Sequence, residues 1–271
     1  MDIKDYSVRE NEKPLDVIKS DGGFTSIFHS IACVGDSLSS GEFQFENDDK
    51  ETIFYDRFEY SWGQCISRMT GAKVYNFSAG GMTAKVYFDH FAPKKGYFDL
   101  DKKCQCYIIA LSCNDCTKVI KNELEFGSED DITTDYNNFN KTFVGYYSAI
   151  IAKYKEISPY AKFFLVTNPD KDRSKGVPER EKLFDKAREI FYKIADVFDN
   201  TYIIDLRKYA PIYDNEFVNN FYLSGHMSPA GYEITAKMIA SYIDYIIRAN
   251  HKDFKDVGMI CSEYEKFIKN I

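Results

Sequence analysis

Five short apolar runs punctuate the chain at 28–34, 73–77, 107–111, 163–167 and 202–206. Near-continuous hydrophobicity over so few residues suits strands covered on both faces, which is the condition of a parallel sheet. Between them lie stretches with helical spacing at about 56–69, 135–155 and 178–198. A last helix is marked at both levels: Ser228 suits its N-cap and Pro229 its first turn. Tyr232, Met238, Ile239, Ile243, Ile246 and Ile247 then form an apolar stripe. Parallel strands alternating with helices need right-handed crossovers, which predicts a three-layer α/β/α sandwich. No repeat, low-complexity tract or Pro/Gly-rich linker divides the chain, so one domain over 1–271 is expected, with its core at about 28–249.

Charge and composition narrow the function. The chain of 271 residues carries 35 basic and 42 acidic side chains, a net charge of −7. Phosphate neutralisation needs clustered Lys and Arg, so a nucleic-acid partner is not expected. No run approaches the roughly 20 apolar residues of a membrane-spanning helix. The first residues lack an apolar signal region, so a cytoplasmic protein is expected, with no membrane partner.

The seven cysteines (33, 65, 104, 106, 113, 116 and 261) are read as reduced thiols, the count being odd. Cys104, Cys106, Cys113 and Cys116 have a spacing that invites zinc. Cys104 and Cys106 open the apolar run 107–111, however, so burial as free thiols is expected rather than a metal site.

Two polar insertions, at 43–51 and 169–181, follow the first and fourth runs. Ligands of an open parallel sheet sit beyond the carboxyl ends of its strands, so both are candidate lids or specificity loops.

The first run leads straight into Gly35-Asp36-Ser37-Leu38-Ser39. A serine at a strand-to-helix junction exposes its hydroxyl beside backbone N–H groups that can hold an anion, as acyl transfer requires. Ser39 stands where the nucleophile elbow of the α/β-hydrolases has its second glycine, so that motif is absent. The second run ends in Asn76-Phe77-Ser78-Ala79-Gly80-Gly81-Met82-Thr83, the third in Ser112-Cys113-Asn114-Asp115, and Gly225-His226 precedes the last helix. Each of these falls at the same edge of the expected sheet.

In this order and spacing the four blocks resemble the GDSL, or SGNH, hydrolase family, over about residues 28–249. The resemblance implies a flavodoxin-like doubly wound sheet of five parallel strands ordered 2-1-3-4-5. It implies Ser37 as nucleophile with Asp36 beside it, and His226 as general base. The oxyanion hole would consist of the Ser37 and Gly81 N–H groups and the Asn114 amide, with Gly80 as the competing register for Gly81. No metal or other cofactor is implied. The expected substrate is a small-molecule ester, such as an acetylated sugar, cleaved through an acyl-enzyme by a short-acyl esterase. A lysophospholipase or thioesterase on the same scaffold, and a silent ester- or carbohydrate-binding module, are the alternatives.

Two positions depart from the family pattern. Ser112 replaces the glycine of the third block, and Leu223 stands where an aspartate usually precedes the histidine by three residues. That aspartate would fix the imidazole tautomer and stabilise the imidazolium. The Leu223 backbone carbonyl and the Asp214 carboxylate are the expected substitutes. Of the remaining histidines, His29 is expected inside the first strand and His251 at the carbonyls ending the last helix; His90 is expected in an interior or surface role, with an approach to the pocket as the lesser alternative. The tail beyond Ala249 is expected to pack on the same chain, and the sequence does not specify an oligomeric state.

Overall fold

The computed structural model describes residues 3–171 and 177–270. Five parallel strands form the central sheet: β1 (Ser30–Gly35), β4 (Lys73–Ser78), β5 (Cys106–Ala110), β6 (Lys162–Val166) and β7 (Thr201–Ile204). Their spatial order is β4-β1-β5-β6-β7, the doubly wound 2-1-3-4-5 arrangement. The register places Gly35 opposite both Ser78 and Ala110, so the first three strands end at one level. The expected runs match these strands to within about two residues at each end. His29 is the exception, lying just before β1 with an exposed side chain.

Strands β2 (Glu42–Glu46) and β3 (Thr52–Asp56) form a separate antiparallel hairpin. It grows from the short helix α1 (Ser37–Ser40) through Gly41, whose φ of 80° suits a residue without Cβ. The 43–51 insertion is therefore an ordered ribbon over most of its length.

Each face of the sheet carries its own core. Helices Phe143–Ile157 and Pro178–Val197 cover one face with Tyr107, Ile109, Phe163 and Leu165. Helices Trp62–Thr70 and Pro229–Ala249 cover the other with Ile31, Cys106, Ile108 and Phe164. Cys104 belongs to the first core and Cys106 to the second, so the two thiols face opposite sides of the sheet. The tail turns back onto the second core, burying Phe254, Val257, Ile260 and Ile268. His251 donates from Nε2 to the Tyr6 carbonyl at 2.9 Å, near the start of the chain, rather than to the carbonyls ending the last helix.

The second insertion is anchored at both ends by Arg207. Its guanidinium donates to the carbonyls of Pro169 and Glu181 and to the carboxylates of Glu181 and Asp185. Residues 172–176 of that insertion, part of the candidate lid, lie outside the described residues. Among the described residues no helix is long and apolar enough to cross a membrane.

Candidate active site

Ser37 opens α1 directly after β1. Asp36 caps that helix, its Oδ1 accepting from the Leu38 N–H at 3.1 Å. The carboxyl is buried, which raises its pKa to about 6 against the opposing pull of that backbone donor; Glu42 raises it further.

After β4 the chain turns through Gly80 and Gly81. Gly81 has φ 69° and open space where a Cβ would stand, so its backbone is approachable from outside. Gly80 is different. A Cβ there would lie 2.3 Å from Glu42 Oε2, so Gly80 is what lets the Glu42 carboxylate rest on the turn.

Asn114 lies in the first turn of the helix Cys113–Ile120 after β5. Its Nδ2 donates to the Met82 carbonyl at 3.1 Å and reaches Asp36 Oδ2 at 3.5 Å. One amide thus ties the third block to the first and the second. The neighbouring Asp115 is buried and accepts from the Ala84 N–H at 2.8 Å. Burial lifts its pKa to about 7, opposed by that bond and reinforced by the charge of Asp36.

Ser112 enters this helix with φ 141°, a backbone position suited to glycine, and accepts a hydrogen bond from the Asn168 amide. A glycine would hold this conformation without strain, and Ser112 holds it with a side chain.

His226 sits in a tight turn held by the Leu223 N–H donating to the His226 carbonyl at 2.8 Å. Its ring nitrogens meet the hairpin. Nδ1 lies 3.0 Å from Gln44 Oε1, and Nε2 lies 3.1 Å from Glu42 Oε1. The expected substitutes for the missing aspartate are placed elsewhere. Asp214 spends its Oδ1 on the Phe217 N–H as a helix cap, and the exposed Leu223 meets His226 through its N–H rather than its carbonyl.

Alternation along a strand explains why the hairpin converges on His226. Glu42 and Gln44 share one face of β2, and across the ladder they pair with Asp56 and Phe54. Phe54 meets the imidazole edge to face at 5.9 Å. On the opposite face, Phe43 packs against Tyr60 and Tyr232 at 5.8 Å each, and the Tyr232 hydroxyl donates to the Glu42 carbonyl at 2.6 Å. The base of the ribbon is therefore pinned to the helix that follows His226.

Burial lowers the His226 pKa, with Asp56 pulling the other way. Burial and Asp56 both raise the Glu42 pKa. The two shifts bring the groups toward sharing a proton across their 3.1 Å contact. Among the described residues, no hydrogen bond joins Ser37 Oγ to His226.

Sequence reasoning missed Glu42, Gln44 and Phe54. The signal was present: Phe43 and Phe45 alternate with Glu42, Gln44 and Glu46, which is strand periodicity. His90 is exposed on the π-helical turn Tyr87–Phe91, within the interior or surface role expected of it. A cavity of about 70 Å³ lies behind the site, bounded by residues that include Asp36, Leu38, Ser39, Ser112 and Cys113.

No family model matches the chain, and no curated protein matches it. Solved structures do share its fold. A lipolytic protein of the G-D-S-L family from Desulfitobacterium hafniense DCB-2 is 17% identical, with a TM-score of 0.50 over 79% of this chain and 99% of that one. A family two carbohydrate esterase from Clostridium thermocellum, in complex with cellohexaose, is 15% identical; its TM-score is 0.58 over 88% of this chain and 67% of that one. The acetyl xylan esterase AlAXEase is 19% identical, with a TM-score of 0.51 over 79% of this chain and 99% of that one. The chain thus has the three-layer fold found in GDSL-type lipolytic proteins and carbohydrate esterases.

Proposed function

We propose that the protein is a serine esterase of the GDSL/SGNH type that removes short acyl groups, such as acetyl, from a carbohydrate. The observation that carries this reading is the Asn114 amide, which bridges the Ser37 block and the Gly81 block at the carboxyl edge of the sheet. Acyl transfer requires a nucleophile beside donors aimed at the developing oxyanion.

In this mechanism His226 takes the proton of Ser37 as Oγ attacks the ester carbonyl. The Ser37 N–H, the Gly81 N–H and the Asn114 amide stabilise the tetrahedral oxyanion. The alkoxide of the sugar leaves with the proton returned by His226, and water then releases the carboxylic acid by the reverse sequence. Each step uses only side chains and backbone groups of this chain.

The alcohol side of the reading rests on the hairpin. Phe54 is exposed there, and Glu42 and Asp56 stand beside it on the face toward His226. Aromatic faces cover the C–H surface of a sugar ring, and carboxylates accept from its hydroxyls. The short-acyl side rests on the likeness to an acetyl xylan esterase. The neighbouring folds that are carbohydrate esterases support the same reading.

A second reading, a module that binds carbohydrate without turnover, is favoured by one observation: both ring nitrogens of His226 face the hairpin. A fluorophosphonate probe separates the two. Labelling of Ser37, located by peptide mass spectrometry and accelerated above pH 7, is the esterase outcome. An unlabelled Ser37 beside measurable binding of an oligosaccharide is the module's.

A further inference from the structure

We infer that Gln44 is the positioning residue of His226: its side-chain carbonyl takes the Nδ1–H in place of the aspartate replaced by Leu223. This rests on the proposed role of His226 as base and names the residue that orients it.

Geometry supplies the first argument. Gln44 Oε1 is 3.0 Å from Nδ1, and its strand partner Phe54 closes the adjoining edge of the ring. Gly225, immediately before His226, has its missing Cβ only 2.1 Å from Gln44 Oε1 and 3.0 Å from Cδ. Any other residue at 225 would push the amide away. Gly225 and Gln44 therefore fit together, and the fit sets the ring's orientation.

Proton chemistry supplies the second. A neutral imidazole donates from one nitrogen and accepts at the other, and the partner of the first decides which. An amide oxygen only accepts, so it selects the Nδ1–H tautomer and leaves the Nε2 lone pair for a proton. Nε2 is the nitrogen that Glu42 meets in the resting structure. With Nδ1 holding its proton, the 3.1 Å contact at Nε2 needs another, so Glu42 meets that lone pair as a carboxylic acid, its Oε2 resting against Gly80. Serine deprotonation then requires Glu42 to move off Nε2 while Gln44 keeps Nδ1. A neutral amide stabilises an imidazolium less than a carboxylate does, so the ring stays a weaker base than in a Ser-His-Asp triad.

The charged and titratable groups around this ring are Glu42 and Asp56 on the hairpin and Asp36 at the start of α1. Their charges are common to the Gln44 variants, so differences among those variants report on Gln44.

The test is nitrogen-15 NMR of the His226 ring, followed by kinetics, on the full chain. Wild type is expected to show the Nδ1–H tautomer above its titration midpoint. Gln44→Leu is expected to lose that preference and to lower kcat about tenfold or more with KM within about twofold. Gln44→Glu is expected to keep Nδ1–H, restore kcat and raise the His226 midpoint by about one unit or more. An Nε2–H tautomer in wild type overturns the inference. So does a Gln44→Leu protein with unchanged tautomer, midpoint and kcat. If Gln44→Leu fails to fold, Gln44→Glu decides alone, an unmoved midpoint being the contrary result. The esterase reading fails separately, by turnover that survives Ser37→Ala, and the ring signals still report on Gln44 in that case.

Discussion

Ser112 carries a φ of 141° at the end of β5, where the Asn168 amide bonds to its hydroxyl. Holding a non-glycine residue in such a region costs about 1–3 kcal/mol. One neutral hydrogen bond returns only about 0.5–1.5 kcal/mol. Ser112→Gly is therefore expected to stabilise the protein by roughly 1 kcal/mol, and Ser112→Ala, which keeps the strain and drops the bond, to destabilise it. Thermal melts of the two variants check this, and a Ser112→Gly protein melting below wild type would contradict it. The two glycines of the second block separate in the same way. Gly81→Ala meets no atom but must hold φ 69°, so it is expected to lose about 1 kcal/mol of stability. Gly80→Ala carries no such backbone penalty and instead displaces the Glu42 carboxylate, so it is expected to alter the His226 titration more than the melting temperature. At this scale the sequence displayed the residues whose neighbours lie nearby in the chain: Ser37 after its strand, Asn114 after its own. Gln44 and His226 are separated by 182 positions. No local pattern encodes that pairing, and the missing aspartate signalled only that some acceptor was required.

The hairpin β2–β3 is the element that shapes the site. Its residues read as a charge run because the turn Asn47-Asp48-Asp49-Lys50 dominates the composition, while the alternation that makes a strand is only five residues long on each side. The five sheet strands were legible for the opposite reason: burial on both faces leaves little polar interruption. The long helices were legible from their spacing, although those expected from residues 56 and 135 begin at Trp62 and Phe143, where Ser61 and Thr142 cap them. A prediction belongs to the ribbon as a unit. Phe54 is more than half exposed, so Phe54→Ala is expected to change stability by less than about 0.5 kcal/mol. Its ring meets His226 and flanks the expected sugar position, so kcat/KM for an acetylated sugar is expected to fall more than that for p-nitrophenyl acetate. Equal losses on both substrates would place Phe54 with the imidazole alone and count against the carbohydrate reading.

Two properties belong to the whole molecule. The first is the response to pH. Asp36 and Asp115 have folded-state pKa values of about 6 and about 7, above the ordinary aspartate value near 3.8, because both are buried. Between pH 4 and 7 the folded chain therefore binds more protons than the unfolded chain, and stability falls as pH rises through that window. Lowered carboxyls such as Glu12, bonded to Arg248, act oppositely, and only at lower pH. A melting temperature higher at pH 5 than at pH 8 is expected. Asp115→Asn keeps the bond from Ala84 and should flatten the slope; an undiminished slope in that variant would remove Asp115 as its source. The second property is closure of the chain on itself. The tail buries Phe254, Val257, Ile260 and Ile268, and the Gln105 amide donates to the carbonyl of Val257 at 2.9 Å. Burying such side chains contributes about 1.5–3 kcal/mol each, so truncation after Ala249 is expected to remove most of a typical folding stability of about 5–15 kcal/mol. A truncated chain melting within a few degrees of wild type would contradict this. The parallel sheet was legible from the alternation of strands and helices, and the strand order only through the family resemblance. The tail was less so, since its short turns carry no sustained period.

The most direct test of the central claim is hydrolysis of p-nitrophenyl acetate by wild type and by Ser37→Ala, both verified as folded by circular dichroism. Turnover in wild type that is abolished in the variant is the predicted result. Equal turnover in the two proteins would contradict the assignment of Ser37 as the nucleophile.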